Sequence, residues 1–140
     1  MKTFDAEAVR ARLPWPRMLA ALDEALRAEV HTPLRVNHTI DVPGLPAASL
    51  LLMPAWRTGR HIGVKLVTVF PGNAMRGERS VAALYVLFDA TNGLPLATLD
   101  GEELTARRGQ AIVQRSHEPR IRATGQTDSF VLPGVVLQYV

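Results

Sequence analysis

The chain carries a lysine in the middle of a segment that otherwise has the composition of a buried strand. The segment reads GVKLVTVFPGN, from Gly63 to Asn73, and the cation is Lys65. A buried ammonium group is costly, so this side chain either reaches an edge of the sheet or points into a polar cavity where an anion meets it. The residues alone leave both alternatives open. The second would make Lys65 a candidate carboxylate-binding group.

Arginines elsewhere in the chain could meet the same kind of anion. Arg35 lies on another predicted strand and offers a planar guanidinium that matches a carboxylate bidentately, although exposed arginines on strands are common. Arg107 and Arg108 lie early in a predicted helix, where the macrodipole disfavours cations unless an anionic ligand offsets that cost. Because neighbouring helical residues point about 100° apart, we expect at most one of the two to face a site and the other to be solvated.

Other common kinds of catalytic centre find little support. The four histidines show no metal-ligand spacing, and the chain has no cysteine for a thiolate ligand or a nucleophile. No serine lies in a GxSxG context, and no GxGxxG or GxxxxGK[ST] loop occurs. We therefore predict no metal site and no serine hydrolase.

The elements that must position these residues are two helices followed by a sheet. Asp5 is a candidate N-cap for a short first helix, and apolar residues recur at helical spacing over residues 17–30. Residues 34–40 alternate with period two, and residues 48–53 form an apolar run that stops at Pro54. Two more runs flank Thr91-Asn92-Gly93, a tight hairpin turn. Four or five strands result, which predicts an α+β fold with N-terminal helices packed on a mostly antiparallel sheet.

Composition and charge favour one ordinary soluble domain. Of the 140 residues 47% are apolar, and no segment approaches the roughly 18 continuous apolar residues of a membrane helix. The net charge of +3 is spread along the chain rather than gathered in a stripe with aromatic residues, as nucleic-acid binders usually have it. We expect a cytoplasmic protein that binds neither nucleic acid nor membranes.

Three segments together carry a resemblance to a known family. LLLMPAW, GVKLVTVFPGN and YVLFDATNGLPLATLDGEELTARR, in this order and spacing, resemble the N-terminal half of the ornithine cyclodeaminase/mu-crystallin family, which includes bacterial pyrroline-2-carboxylate reductases. The resemblance covers about residues 1–108. It implies an NAD(P)-dependent and usually dimeric protein, built from a discontinuous α+β substrate and dimerisation domain and a Rossmann domain inserted after a TxxRT helix.

The resemblance also implies roles for particular residues. Arg35, Lys65 and Arg108 would hold the carboxylate of an amino or imino acid, Met53 would lie near the substrate, and Thr68 would lie at the cofactor side. Such a clamp would orient the carbon that exchanges a hydride with NAD or NADP. Whether this chain binds either cofactor stays open. No catalytic residue is assigned, because the family's catalytic aspartate has no counterpart in the sequence.

The pattern departs from the family directly after Arg108. Where the family continues RTAA-x-S-x-L-A, this chain has Gly109, Gln110 and Ala111, and nothing after them resembles a Rossmann domain. We therefore predict a substrate-binding and dimerisation domain over 1–108, an atypical tail over 109–140 and no Rossmann domain. The tail is either the product of a frameshift or gene rearrangement, or a native segment that replaces the missing domain and closes the sheet.

Three kinds of function are open on these grounds. The first is the family's activity, which is NAD(P)-dependent conversion of ornithine to proline or reduction of a cyclic imino acid such as pyrroline-2-carboxylate, with this chain expected to be inactive by itself. The second is a non-catalytic module that binds small carboxylates or dimerises. The third is a product with no stable function. The sequence decides neither the substrate nor the choice between NAD and NADP.

Overall fold

A short strand and two helices begin the chain, and a series of antiparallel strands and a final helix follow. The computed structural model describes residues 1–107. The elements are β1 (Lys2–Phe4), α1 (Ala6–Arg12), α2 (Trp15–Arg27), β2 (Val36–Ile40), β3 (Ala48–Arg57), β4 (His61–Val69), a 3-10 helix (Pro71–Arg76), β5 (Val81–Asp89), β6 (Pro95–Asp100) and a helix α3 over residues 101–107.

The six strands form one sheet in the order β1-β6-β5-β4-β3-β2. All pairings are antiparallel except that of β1 with β6, in which Lys2 lies opposite Ala97. The prediction of an α+β fold with helices on a mostly antiparallel sheet is thus confirmed. The strand count was too low because β1, with three residues, is too short to show a period.

Local sequence signals account for several element boundaries. The Asp5 carboxylate accepts a hydrogen bond from the amide of Ala8 at 2.8 Å, which confirms it as the N-cap of α1. Asp100 accepts one from the amide of Glu103 at 2.8 Å and caps α3 in the same way. The predicted hairpin turn between β5 and β6 is also confirmed, with Gly93 at a φ of 75°.

Other boundaries differ from the sequence-based expectation. Strand β3 continues through Pro54 to Arg57 instead of stopping. At Pro54 the strand pairs with Val64 of β4, whereas its pairing with β2 ends at Leu52, so the missing proline N–H interrupts no ladder on that side. Helix α2 covers residues 15–27 rather than 17–30, and the segment after β4 is a 3-10 helix rather than a simple turn.

The helices pack on one face of the sheet, which we call the covered face. It consists of the side chains that share a face with Lys65, Tyr85 and Leu99, because residues directly opposite one another in neighbouring strands point the same way. The buried cluster on this face joins α1, α2 and α3 to strands β1, β5 and β6. Its members are Phe4, Val9, Leu13, Met18, Ala21, Leu22, Ala25, Tyr85, Leu87, Ala97, Leu99 and Leu104.

The opposite face of the sheet, which we call the uncovered face, is also apolar. Leu52, Leu66 and Leu84 lie directly opposite one another across β3, β4 and β5 on this side. Leu84 is 44% exposed. Within residues 1–107 the helices lie on the covered face, and none of them is long and apolar enough to cross a bilayer.

Candidate functional site

Three residues of neighbouring strands form a row on the covered face, which we call the Lys65 row. Met53 of β3 lies directly opposite Lys65 of β4, and Lys65 lies directly opposite Tyr85 of β5. Side chains in such pairs have Cβ atoms about 4.5–5.5 Å apart. The sheet register therefore places an ammonium group between a thioether and a phenol.

Both ends of the Lys65 row are buried, and its middle is more exposed. Tyr85 is fully buried, Lys65 is half-buried, and Met53 is 9% exposed. Strand β4 is an interior strand, so Lys65 does not lie on a sheet edge. The alternative in which this lysine reaches an edge of the sheet is therefore not supported.

Arg35 and Thr68 lie outside the Lys65 row. Arg35 directly precedes β2, whose first residue, Val36, pairs with Leu52. The side chain of Arg35 is exposed. Thr68, three residues after Lys65 on the same strand, points to the uncovered face, where its partners are Leu50 and Ala82. The structure thus brings Met53 and Lys65 together and separates Thr68 from them.

Helix α3 begins directly on the covered face. A Cβ atom at Gly101 would lie 2.8 Å from the carbonyl carbon of Ala83, so only glycine allows this close approach. Ala83 shares its face with Tyr85, two residues further along β5. The chain therefore enters α3 beside the Lys65 row. Arg108, predicted to complete the carboxylate clamp, and the whole predicted tail lie outside the described residues.

Arg107 has a structural position. Its guanidinium donates to Glu103 at 2.8 Å and to the carbonyl oxygen of Leu13 at 2.6 Å, and it lies 5.7 Å from the ring centre of Trp15. The side chain is only 13% exposed. Arg107 is therefore not the solvated member of the pair, and Arg108 lies outside the described residues. The sequence gives no sign of this, because Leu13 is far away along the chain.

Glu103 connects α3 to α1 as well. Its carboxylate accepts hydrogen bonds from Arg10 at 2.9 and 3.2 Å and from Arg107 at 2.8 Å. The hydrogen bond from Arg10 lowers the pKa of Glu103 below its ordinary value, and Arg107 adds to this effect, while partial burial opposes it. These contacts fix the helix that begins at the Lys65 row.

Tyr85 is a residue that sequence reasoning did not single out. Its hydroxyl group is fully buried and has no hydrogen-bond partner among the described residues. Burial raises the pKa of this phenol, so the group stays protonated and can donate. A tyrosine in an apolar run resembles any core aromatic residue. The pairing with Lys65, twenty residues earlier, becomes visible only once the register of β4 and β5 is known.

Residues 1–107 contain no group of three histidine, aspartate or glutamate side chains that could hold a metal ion. They also contain no strand, glycine-rich loop and helix in succession that could take the pyrophosphate of a dinucleotide.

Comparison with known proteins gives consistent matches. The sequence profile of the ornithine cyclodeaminase/mu-crystallin family matches residues 4–114, which confirms the resemblance noted in the sequence and ends beyond the predicted boundary at residue 108. Delta(1)-pyrroline-2-carboxylate reductase 2 of Burkholderia ambifaria is 36% identical over 110 residues, covering 78% of this chain and 35% of that protein.

Solved structures agree with the sequence comparison. The Delta(1)-pyrroline-2-carboxylate reductase of Thermococcus litoralis, in complex with NADH and L-proline, matches 81% of this chain and 36% of its own, with a TM-score of 0.66 and 25% identity. An archaeal alanine dehydrogenase dimer with bound NAD matches 79% of this chain and 34% of its own, with a TM-score of 0.63 and 27% identity. The chain spans about a third of the length of the relatives it matches.

Proposed function

The chain belongs to the ornithine cyclodeaminase/mu-crystallin family, and on this premise we propose that residues 1–108 form the substrate-binding part of an NAD(P)-dependent enzyme. Its substrate would be a small amino or imino acid. The proposed reaction is the reduction of a cyclic imino acid such as pyrroline-2-carboxylate, or the conversion of ornithine to proline. The observation that carries this proposal is the Lys65 row, in which the register places Lys65 between Met53 and Tyr85.

A cation on the covered face and a second cation suit the carboxylate of such a substrate. Lys65 would meet the carboxylate with a charge-assisted hydrogen bond, and the exposed Arg35 would provide a second one. Arg108 is proposed as a third cation on the strength of the family resemblance. Met53 would supply an apolar contact to the carbon skeleton. Held in this way, the substrate keeps one orientation while it reacts.

The nicotinamide cofactor would supply the hydride. Because the sequence has no GxGxxG fingerprint for a dinucleotide, we propose that the 140 residues alone bind the carboxylate without turnover. A role for Thr68 at the cofactor side stays a proposal, and its position on the uncovered face gives it no support. The division at residue 108 and an altered tail after it are likewise proposals, which sequencing of the downstream DNA tests.

We propose that the uncovered face binds a second copy of the chain. Apolar residues at matching positions of β3, β4 and β5 form a continuous patch, and such patches on a protein surface usually mark an interface. One of the structural relatives is a dimer. A sheet face that meets the same face of a second copy is self-complementary, as a twofold dimer requires.

Isothermal titration of the chain with L-proline and with pyrrole-2-carboxylate tests carboxylate binding. We expect Lys65→Met to weaken binding by roughly tenfold or more, since the carboxylate loses a charged hydrogen-bond partner. Lys2→Met is the matched control, because Lys2 is the other lysine of the chain and is exposed on β1. Absence of binding by the unaltered chain, or unchanged affinity in Lys65→Met, would count against the proposal.

A non-catalytic module that binds small carboxylates or dimerises is the second candidate. It is favoured by the same observation that carries the first, since a cation in the Lys65 row can bind a carboxylate without a dinucleotide nearby. NAD(P)H fluorescence separates the two. A change in nucleotide fluorescence on mixing, followed by turnover with a cyclic imino acid, would show that the 140 residues are an enzyme. Carboxylate binding without either result would identify the module.

A further inference from the structure

The hydroxyl group of Tyr85 needs a hydrogen-bond partner that the described residues do not provide. Buried side-chain oxygen atoms in folded proteins nearly always have one, because burial without a partner costs free energy. A phenylalanine at this position would fill the same space without that cost. The retained hydroxyl group therefore suggests a partner that arrives from outside the described residues.

The register indicates where such a partner would lie. Tyr85 has Lys65 on one side and Leu99 on the other, all on the covered face. Leu99 is buried and apolar. Of the two residues directly opposite Tyr85 in the neighbouring strands, only Lys65 therefore has a polar group. Two long side chains that start from opposite positions on one face can bring their polar ends to the same small ligand.

We propose that Tyr85 is a further ligand-binding residue, whose hydroxyl group donates a hydrogen bond to the carboxylate that Lys65 holds. This inference rests on the proposed function of the Lys65 row. A carboxylate has two oxygen atoms with several lone pairs, so it accepts from an ammonium group and a phenol at the same time. Burial keeps the Tyr85 phenol protonated, which suits it to donate to an anion.

The proposal has a consequence for specificity. A buried donor discriminates strongly against ligands that offer it no acceptor, since binding them leaves the donor unpaired. L-proline should therefore bind far better than pyrrolidine, which has the same ring without the carboxylate. Tyr85 would contribute to this preference in addition to Lys65, and its bulk would favour a small ring over a long side chain.

Tyr85→Phe tests the proposal, because it removes the hydroxyl group and keeps the ring. We expect the variant to bind L-proline about 10-fold to 100-fold more weakly, as measured by isothermal titration. Its Tm without ligand should equal or exceed that of the unaltered chain, since the lost hydroxyl group had no partner there. A hydroxyl group that only fills the core would give the same Tm result with unchanged affinity, and unchanged affinity would overturn the proposal.

A spectroscopic measurement complements the affinities. With tyrosine labelled by ¹³C at Cζ, the chain gives two resonances, from Tyr85 and Tyr139, and the one missing from Tyr85→Phe identifies Tyr85. We expect this resonance to shift on addition of L-proline and to stay in place on addition of pyrrolidine. No shift with L-proline, or a fall in the Tm of Tyr85→Phe, would also overturn the proposal.

The outcome separates this inference from the function on which it rests. If the unaltered chain binds L-proline and Lys65→Met does not, while Tyr85→Phe binds normally, the carboxylate site stands and the role of Tyr85 is wrong. If the unaltered chain binds no carboxylate, both are wrong.

Discussion

The two faces of the sheet are built from similar residues and differ in what lies on them. Tyr85 and Leu84 are neighbours on β5, yet Tyr85 is fully buried on the covered face and Leu84 is 44% exposed on the uncovered face. Both faces draw on the same apolar runs, so composition does not separate them. The difference comes from the helices, which have one apolar stripe each and pack on one side.

This difference suggests a division of roles between the faces. The covered face carries the proposed carboxylate site, next to strands on which the helices pack. The uncovered face is apolar and carries none of the helices of the cluster, which suits it to a large partner surface. The proposed site and the proposed dimer interface thus lie on opposite sides of the same strands.

The largest expected effect is on stability, from equal substitutions on the two faces. Leu99→Ala should lower the free energy of unfolding by about 2–5 kcal/mol, because it leaves a cavity under the helices. Leu84→Ala should cost about 1 kcal/mol or less at protein concentrations well below the dissociation constant of the proposed dimer. Urea denaturation at low protein concentration measures both. Equal losses would mean that the uncovered face is packed against something within the chain.

A charge on the uncovered face should have the next largest effect, on association. Leu84→Glu should weaken the proposed dimer by roughly 100-fold, because symmetry brings both carboxylates into one apolar interface. Sedimentation equilibrium measures the dissociation constant. Leu94→Glu is the control, since Leu94 lies in the exposed hairpin turn and the same change should leave association unaltered. A monomeric unaltered chain, or equal effects of both substitutions, would contradict the proposed interface.

Much of the fold follows from short-range signals in the sequence. Capping by Asp5 and the turn at Asn92-Gly93 depend on residues close together in the chain, so the local sequence predicts them. The continuation of β3 through Pro54 depends instead on where the neighbouring strand β2 ends. Strand β1 depends on a parallel pairing with β6, at the other end of the described chain.

The candidate site depends even more on strand pairing that the sequence does not reveal. Lys65 attracts notice because a cation interrupts an apolar run, and the family resemblance adds Arg35 and Met53. That Lys65 lies directly opposite Met53 depends on how β3 and β4 are aligned, and the sequence by itself does not give this register. Tyr85 escaped notice for the same reason.

The smallest expected effect concerns the attachment of α3, which completes the covered face beside the Lys65 row. The hydrogen bond from Arg10, together with Arg107, lowers the pKa of Glu103 in the folded protein. A carboxyl group with a lowered folded pKa stabilises the fold above its unfolded pKa of about 4.3, and this contribution is lost as the pH falls through the folded value. Glu103→Gln should therefore cost on the order of 1 kcal/mol at pH 7 and have a flatter stability profile in acid.

Urea denaturation between pH 7 and pH 3 tests this, and the curves of Glu103→Gln and the unaltered chain should converge at the acid end. Glu102→Gln is the matched control, because Glu102 makes an ion pair with an exposed Arg79 and should contribute less than about 0.5 kcal/mol. Parallel curves for Glu103→Gln and the unaltered chain would mean that the carboxylate does not hold α3 through its charge. The covered face would then depend on apolar packing alone, as the proposed dimer interface on the uncovered face does.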